Sequence, residues 1–453
     1  MAENKVDKKV KTVTKVVKFG GSSLADAAQF KKVGDIIRAD KDRRFVVPSA
    51  PGKRHSGDTK VTDMLIHIYH TATEDKTKVK EELLKIEARY EEIIEGLDLK
   101  GFSLEKDFQE IEQSLMTDPD LDYTASRGEY LNGRIMAEYL DYEFIDAKDV
   151  IFFNDEGKLN TYKTEKTMAE RLKKAGTAVI PGFYGMGKDG RVKTFSRGGS
   201  DITGSIVAGA VKADVYENWT DVSGFLVADP RIVKNPAGIK TITYRELREL
   251  SYMGASVLHE EAIFPVRSAG IPINIRNTNA PEDAGTWIVE STGMKPDYTI
   301  TGIAGKKGFC AVLITKSLMN SEVGFGRKVL QAFEENDINF EHMPSGIDTM
   351  TIVVHEDEFL HKEQNVVSAI HRLASPDAVE IETDLALIAV VGRGMKSNRG
   401  TAGRIFSALS HARVNVRMID QGSSELNIII GVENADFETA VKAIYDIFVE
   451  TQM

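Results

Sequence analysis

Read for alternating apolar and polar positions, the chain opens with a short β-branched run, VTKVVKF (residues 13–19), followed at once by Gly20-Gly21-Ser22-Ser23. Leu24, Phe30, Val33 and Ile37 then recur on one side of a 3.6-residue repeat, which predicts a strand, a glycine turn and a helix. The same grammar returns at RFVVPSA, TAVIPGF, ADVYENW and IPINIRN, apolar strands separated by helix-length stretches, so the pattern predicts βαβ units on a mainly parallel sheet. Between residues 74 and 115 the texture becomes that of a charged amphipathic helix. A run such as KVKEELLKIEARYEEIIEGL predicts a solvated helical excursion that covers part of the main body.

After PEDAGTWIVESTGMKPD the pattern changes again, and two similar blocks follow. Gly324, Lys328, Asn339, Gly346 and Ile352 recur as Gly400, Arg404, Asn415, Gly422 and Ile428 at one fixed offset. Each block reads strand, glycine-containing loop, amphipathic helix, strand, turn and strand, which predicts two copies of a small α+β unit able to pair their sheets.

Composition narrows the class. A chain of 453 residues exceeds one core of ordinary size, so a large domain with smaller modules is expected. With 42% hydrophobic and 28% charged residues of mixed sign, it reads as globular, and its net charge of −11 disfavours nucleic acid as a partner. The lone Cys310 can form neither an internal disulfide nor a cysteine metal site; it is expected to be buried, in a reducing, cytoplasmic compartment. No stretch approaches the roughly 20 apolar residues that span a bilayer. Residues 1–14 are Lys-rich without the apolar centre of a secretory signal and are expected to form a flexible basic tail. The nine histidines show no metal-binding spacing, so no protein-built metal site is expected.

The strongest chemical signal is Lys18-Phe19-Gly20-Gly21-Ser22-Ser23. Glycines after a strand let backbone amides approach a phosphate, and the lysine adds a mobile cation. A second cluster, Ser196-Arg197-Gly198-Gly199-Ser200-Asp201, precedes another apolar helix. Arg197 suits a carboxylate clamp, and Asp201 suits the orientation of lysines or an N-cap. Two such glycine turns facing each other at the carboxyl edge of a sheet could hold two anionic reactants head to head. Glu129 in Ser126-Arg127-Gly128-Glu129 has two readings, a capping box and a carboxylate for a substrate ammonium; the residues by themselves favour the cap. Trp219-Thr220-Asp221-Val222-Ser223-Gly224 ends a strand, and Asp229-Pro230-Arg231 follows, a placement suited to a nucleotide.

Taken in order and over nearly the whole chain, KFGGSS, VVPSAPGK, SRGE, PGFYG, SRGGSD, WTDVSG, DPR and GASVLH resemble aspartate kinase. The resemblance implies the amino-acid kinase fold, an α/β three-layer αβα sandwich on a mainly parallel sheet, over residues 15–295. Two α+β ferredoxin-like ACT units would follow at 296–380 and 381–453, an arrangement that also allows the first to be inserted within the second. It implies transfer of the ATP γ-phosphoryl group, with Mg²⁺, to the β-carboxylate of L-aspartate, toward lysine, threonine and methionine. Carried over by motif, Lys18 stabilises the transferring group and Asp201 positions the catalytic lysine and the glycine loops. Gly20, Gly21, Ser22, Gly198 and Gly199 line the phosphates. Ser49, Thr62, Glu129, Phe183, Arg197 and Ser200 match aspartate-binding positions, and Thr220, Asp221, Leu226 and Arg231 the nucleotide loop. In the first repeat Met319, Asn320, Ser321, Glu322, Gly324, Phe325, Asn339, Phe340, Glu341 and Ser345 resemble an effector pocket. A carboxylate at Glu341 suits the second cation of lysine better than threonine. A homodimer or dimer of dimers through the ACT units is expected. Two departures stand out: Ser256, with Glu260 after it, where the family often has lysine, and Pro48 at a strand end. Two rivals remain at this point. A kinase of the same fold acting on glutamate derivatives, carbamate or nucleotides is disfavoured by the paired repeats and WTDVSG. A catalytically silent amino-acid sensor is disfavoured by the joint presence of Lys18, Glu129, Arg197 and Asp201.

Overall fold

The computed structural model of the chain describes residues 13–196, 198–255, 260–291 and 299–449. It divides into two units, one of residues 1–225, 240–244 and 257–291, the other of 226–239, 245–256 and 292–453.

In the first unit the strands are β1 (Lys15–Phe19), β2 (Arg43–Pro48), β3 (Glu143–Phe144), β4 (Ala178–Val179), β5 (Tyr184–Met186), β6 (Val192–Thr194), β7 (Val215–Thr220), β8 (Thr241–Thr243), β9 (Ile273–Asn277) and β10 (Thr286–Val289). Eight of them form one sheet in the order β3-β4-β2-β1-β7-β9-β10-β8, and β5 and β6 make a separate hairpin. Every pair from β3 to β9 is parallel, and β10 runs antiparallel to β9. The four apolar runs that return after the first strand are β2, β4, β7 and β9, so the predicted parallel sheet is present with an antiparallel edge added.

The helices are α1 (Ala27–Arg38), α2 (Val61–Glu74), α3 (Val79–Gly96), α4 (Glu105–Thr117), α5 (Leu121–Leu140), α6 (Thr161–Ala175), α7 (Gly199–Val211), α8 (Tyr244–Tyr252), whose residues from Arg245 on belong to the second unit, and α9 (Glu260–Ser268). Period-two alternation on β1 decides which side chain meets which layer. Val17 and Phe19 enter a core with Phe30 and Val33 of α1 and Leu131 and Ile135 of α5. Lys18 points to the other face, which α7 covers by packing on β1, β2 and β7.

The charged excursion is α3 with α4. Leu83, Ile86, Tyr90 and Ile93 of α3 and Phe108 and Ile111 of α4 belong to the same core as the sheet, each fully buried side chain contributing about 1.5–3 kcal/mol. One residue departs from the expected solvated face: Arg89, in the middle of KIEARYEE, is only 5% exposed. The capping-box reading of Glu129 is corrected as well. Asp120 caps α5 by accepting from the Tyr123 N–H at 2.8 Å, so the helix starts at Leu121 and Glu129 lies inside it. Ser126 Oγ donates back to the Tyr123 carbonyl at 2.6 Å and caps nothing.

In the second unit β11 (Gly302–Thr315), β12 (Thr349–His355), β13 (Ala378–Val391), β14 (Met418–Asp420) and β15 (Asn427–Glu433) form one antiparallel sheet in the order β12-β11-β13-β15-β14. Its helices are α10 (Phe325–Glu334), α11 (Glu356–Leu360), α12 (Glu363–Ala374), α13 (Thr401–His411) and α14 (Phe437–Phe448). The register of β11 on β13 shifts around Phe309 and divides both strands. Gly302–Lys307 lies against Ala386–Val391, whose other edge carries β15; Phe309–Thr315 pairs with β12. The α13-β14-β15-α14 repeat therefore takes its outer strand from residues 302–307, ahead of the α10-β12-α12 repeat in the chain. Gly324 and Gly400 occupy equivalent places before α10 and α13, at φ +84° and +85°.

Candidate active site

The site is built at the carboxyl ends of β1, β2, β4 and β7. Lys18 Nζ lies 2.6 Å from Asp201 Oδ1, both side chains largely buried. Asp201 sits in the first turn of α7, where the left-handed Gly198 occupies the cap position, so the aspartate is not itself the cap. Asn218 Nδ2 donates to the same Asp201 oxygen at 2.8 Å, and the Tyr216 hydroxyl donates to the Asp201 backbone carbonyl at 3.3 Å. A buried ion pair costs desolvation that an apolar pair does not, so this one is better explained by holding an ammonium in place than by stability.

Two backbone turns interlock beside it. The Gly20 N–H donates to the Trp219 carbonyl at 3.0 Å, and the Gly52 N–H to the Gly21 carbonyl at 2.8 Å. A Cβ on Gly52 would stand 2.5 Å from the Gly21 carbonyl carbon and 2.7 Å from the Ser22 nitrogen, so this approach admits only glycine. Instead of passing directly into a helix, Gly21–Leu24 forms a 3₁₀ turn before α1. Ser49 is held by its N–H to the Phe19 carbonyl at 3.1 Å, and Thr62 stands in the first turn of α2, behind the Val61 N–H that donates to the Pro51 carbonyl.

Across the same strand ends, the Gly182 N–H donates to the Pro48 carbonyl at 3.2 Å. Phe183 holds φ +82°, costly for a bulky residue, with its N–H donating to Thr203 Oγ1 at 3.1 Å. Gly199 accommodates the Phe183 ring, and Ser200 packs on Gly182.

Glu129 completes the arrangement from α5. The Ala50 N–H donates to its carboxylate, while the buried Oε2 has no hydrogen-bond partner among the described residues. Burial pushes its carboxyl up to about 8, against the backbone hydrogen bonds and the Lys18 charge, which pull it down. Asn132 lies one turn along the same helix face. Its Nδ2 donates to the Ser49 carbonyl at 2.6 Å, and its buried Oδ1 likewise has no partner among the described residues. Two orphaned acceptors in one wall are an unfinished hydrogen-bond set, of the kind an ammonium completes.

The amino acid kinase family model matches residues 13–277, and an ACT domain model matches residues 388–448. Aspartokinase 3 of Bacillus subtilis is 43% identical, the match covering 96% of this chain and 98% of that protein. The chain belongs to the aspartate kinase family. The crystal structure of Clostridium acetobutylicum aspartate kinase, described as an allosteric enzyme, is 50% identical at a TM-score of 0.87, covering 96% of this chain and all of that one. Escherichia coli aspartokinase III in complex with aspartate and ADP shares the fold at a TM-score of 0.70 and 24% identity, over 96% and 99% of the two chains.

Within this kinase the remaining expected positions divide. Thr220 closes β7, its carbonyl accepting from the Thr278 N–H at 2.8 Å and its hydroxyl donating to Asp221 Oδ1 at 3.2 Å. Leu226 and Arg231 belong to the second unit, on a groove of about 540 Å³ that Pro230 and Pro236 also line. Arg231 is exposed, and Asp229 grips it with Nη2–Oδ2 at 2.6 Å. Arg197 and Ser256 lie outside the described residues.

In the first repeat Met319 and Phe325 are buried, and the turn at Asn320 is tied to the Ile347 carbonyl. Glu322 is paired with Lys328 at 2.6 Å and Lys316 at 3.4 Å, and the bond from Lys328 holds its carboxyl below the usual range. Asn339 and Phe340 are exposed, as is Ser345, which bridges to Met350. Glu341 is bonded through its N–H to the Val353 carbonyl, and its carboxylate lies 3.4 Å from His355 Nε2. Tyr252 donates to Glu341, and burial followed by that bond pushes the phenol up to about 12.

Cys310 is buried, and burial pushes its thiol to about 12. Among the described residues no helix is long and apolar enough to cross a membrane.

Sequence reasoning missed Gly52, Asn132 and Asn218. Asn132 had a signal, its spacing of three from Glu129 on a helix. Asn218 had one too, facing the same side of the sheet as Lys18 in adjacent parallel strands. Gly52 stands in the VVPSAPGK motif, but only the fold brings residues 21 and 52 together.

Proposed function

We propose that this chain transfers the γ-phosphoryl group of ATP to the β-carboxylate of L-aspartate, giving 4-phospho-L-aspartate, the first step toward lysine, threonine and methionine, in the cytoplasm. The observation that carries the reading is the convergence of Lys18, held by Asp201, with two glycine turns and Glu129, whose Oε2 lacks a partner among the described residues, at one set of strand ends. Aspartate is bound with its ammonium on Glu129, its position framed by Ser49, Thr62, Phe183, Arg197 and Ser200. Two anionic reactants repel, so the catalytic burden is alignment and charge neutralisation rather than a covalent intermediate. Lys18 meets the charge of the transferring phosphoryl group. Asp201 and Asn218 keep its ammonium from relaxing away, and amides around Gly20, Gly21, Ser22, Gly198 and Gly199 face the phosphates. By their motifs, Thr220 and Asp221 of the first unit and Leu226 and Arg231 of the second are each assigned to nucleotide binding.

The site fits Mg²⁺ carried by the nucleotide rather than a protein-built centre. Its carboxylates are spoken for: Asp201 is paired with Lys18 and Asn218, and Glu129 is assigned to the substrate ammonium. When bound, the ion supplies charge neutralisation on the phosphate oxygens.

Residues 15–295 are assigned to catalysis and 296–453 to two ACT units, the second completed by strand residues 302–307, that bind an amino-acid effector, lysine rather than threonine, between the 319–325 and 339–345 segments. Exposed Leu318, Val323, Phe340 and Ile347 support pairing of two copies through the first repeat, and a second such pairing would give a dimer of dimers. Inhibition requires that lysine bind one quaternary state more tightly than another. Coupled-assay turnover with aspartate and then glutamate, each with lysine or threonine, tests the whole reading. Turnover confined to glutamate, or inhibition by threonine alone, sinks it. Sedimentation showing only monomer, with and without lysine, removes the dimer.

A further inference from the structure

The charged helix α3 carries two consecutive buried polar residues, and they anchor two neighbouring parts of the site, the Gly52 turn and the Gly128 turn of α5. Arg89 Nη2 donates to the Gly52 carbonyl at 2.8 Å and to the Ala25 carbonyl at 3.4 Å, and Nη1 donates to the Thr59 carbonyl at 2.7 Å. Nη1 also lies 3.4 Å from Asp58 Oδ2. Ala25 ends the 3₁₀ turn of Gly21–Leu24, Gly52 is the residue interlocked with Gly21, and Thr59 leads into α2, where Thr62 sits. One planar fork thus ties the end of the 3₁₀ turn to two points of the loop between β2 and α2. The neighbouring Tyr90, fully buried, donates its hydroxyl to the Gly128 carbonyl at 2.8 Å, one residue before Glu129.

We infer that Arg89 and Tyr90 are positioning residues: Arg89 sets the spacing of the two interlocked glycine turns, and Tyr90 sets the placement of Glu129. The inference rests on the aspartate kinase reading above. A buried guanidinium carries a desolvation cost that an aliphatic side chain of similar volume would not, so stability alone does not account for it. What the fork supplies is direction. In a trans peptide the N–H points opposite the carbonyl, so holding the Gly52 carbonyl toward α3 turns the Lys53 N–H away from α3. Lysine cannot replace the fork, because a single ammonium does not present paired, coplanar donors.

The test uses the full chain with ATP and aspartate, after wild-type turnover of aspartate has been established. Absent turnover there defeats the functional reading and not this one. Arg89→Lys keeps the charge and loses the fork. It is expected to lower kcat on the order of 10- to 100-fold, the effect of slight misplacement, with a much smaller change in KM for aspartate. Tyr90→Phe is expected to show the reverse split, KM for aspartate rising about 2- to 10-fold with kcat nearly constant, as for one neutral hydrogen bond. A merely structural role would lower both variants' activity in step with their melting temperatures. Wild-type kcat in folded Arg89→Lys, or unchanged KM in Tyr90→Phe, overturns the corresponding half. Should Arg89→Lys fail to fold, Asp58→Asn decides: loss of that anchor is expected to lower kcat a few-fold, and an unchanged kcat overturns the Arg89 assignment.

Discussion

Glu129 and Glu322 are carboxylates of similar sequence character in the two units of the chain, and their surroundings are opposite. Glu129 is buried with one oxygen unpartnered and its carboxyl raised to about 8. Glu322 is clasped by two lysines and held below the usual range. The first is an unfinished site, suited to the substrate ammonium proposed for it. The second is already satisfied, so a ligand there must displace Lys328 or Lys316. Glu341 stands between these cases, with Tyr252 and His355 as partners that a second cation could replace. A carboxylate's readiness for a ligand is set by what it lacks, and that is visible only in three dimensions.

The comparison breaks most sharply at the catalytic end. Lys18→Ala is expected to lower kcat on the order of 10²- to 10³-fold, the cost of losing a preorganised charge. Asn218 still bonds to Asp201, so the melt should show only a modest loss, about 1–3 kcal/mol for the group left behind. Near-wild-type turnover would remove Lys18 from its role.

Next comes Glu129→Gln, expected to raise KM for aspartate about 10- to 100-fold, as for a charge-assisted hydrogen bond. Its pH signature has a defined sign. With the folded carboxyl near 8, an arriving ammonium favours the ionised form, so aspartate binding in the wild type should tighten as pH rises toward and through 8. Stability moves the other way. The unfolded chain releases this proton near its ordinary value of 4.5 and the folded chain only near 8, so folding free energy should fall between those values. In Glu129→Gln both dependences should flatten, a result that pH-resolved kinetics and melts would read directly.

In the regulatory unit Glu341→Gln should raise the half-inhibiting lysine concentration about tenfold, the scale of one charged contact, measured by lysine titration of turnover. An unshifted titration would leave Glu322 as the carboxylate to examine. The smallest effect is expected from Arg231→Ala, at most a few-fold in KM for ATP. Arg231 is 87% exposed on its side chain and already neutralised by Asp229.

Much of this was legible along the chain. Short apolar, β-branched runs located β1, β2, β4, β7 and β9, and matched glycines exposed the duplicated repeat. The ordered motifs implied a family that comparison over nearly full length then established. Local spacing misled at Ser126 and Glu129, because Asp120 offered an earlier cap and tertiary packing extended α5 through both. It misled again at Arg89, where a charge in a solvated-looking run turned inward to meet carbonyls far away in sequence.

By itself the sequence determined the elements, their alternation and the residue types able to do phosphoryl chemistry, since periodicity and turn chemistry are local. Only the tertiary structure decided that Gly52 closes on Gly21, that Asn218 and Lys18 share Asp201, and that Glu129 keeps an empty acceptor. Each of these depends on which strand ends lie side by side and on how completely water is excluded between them.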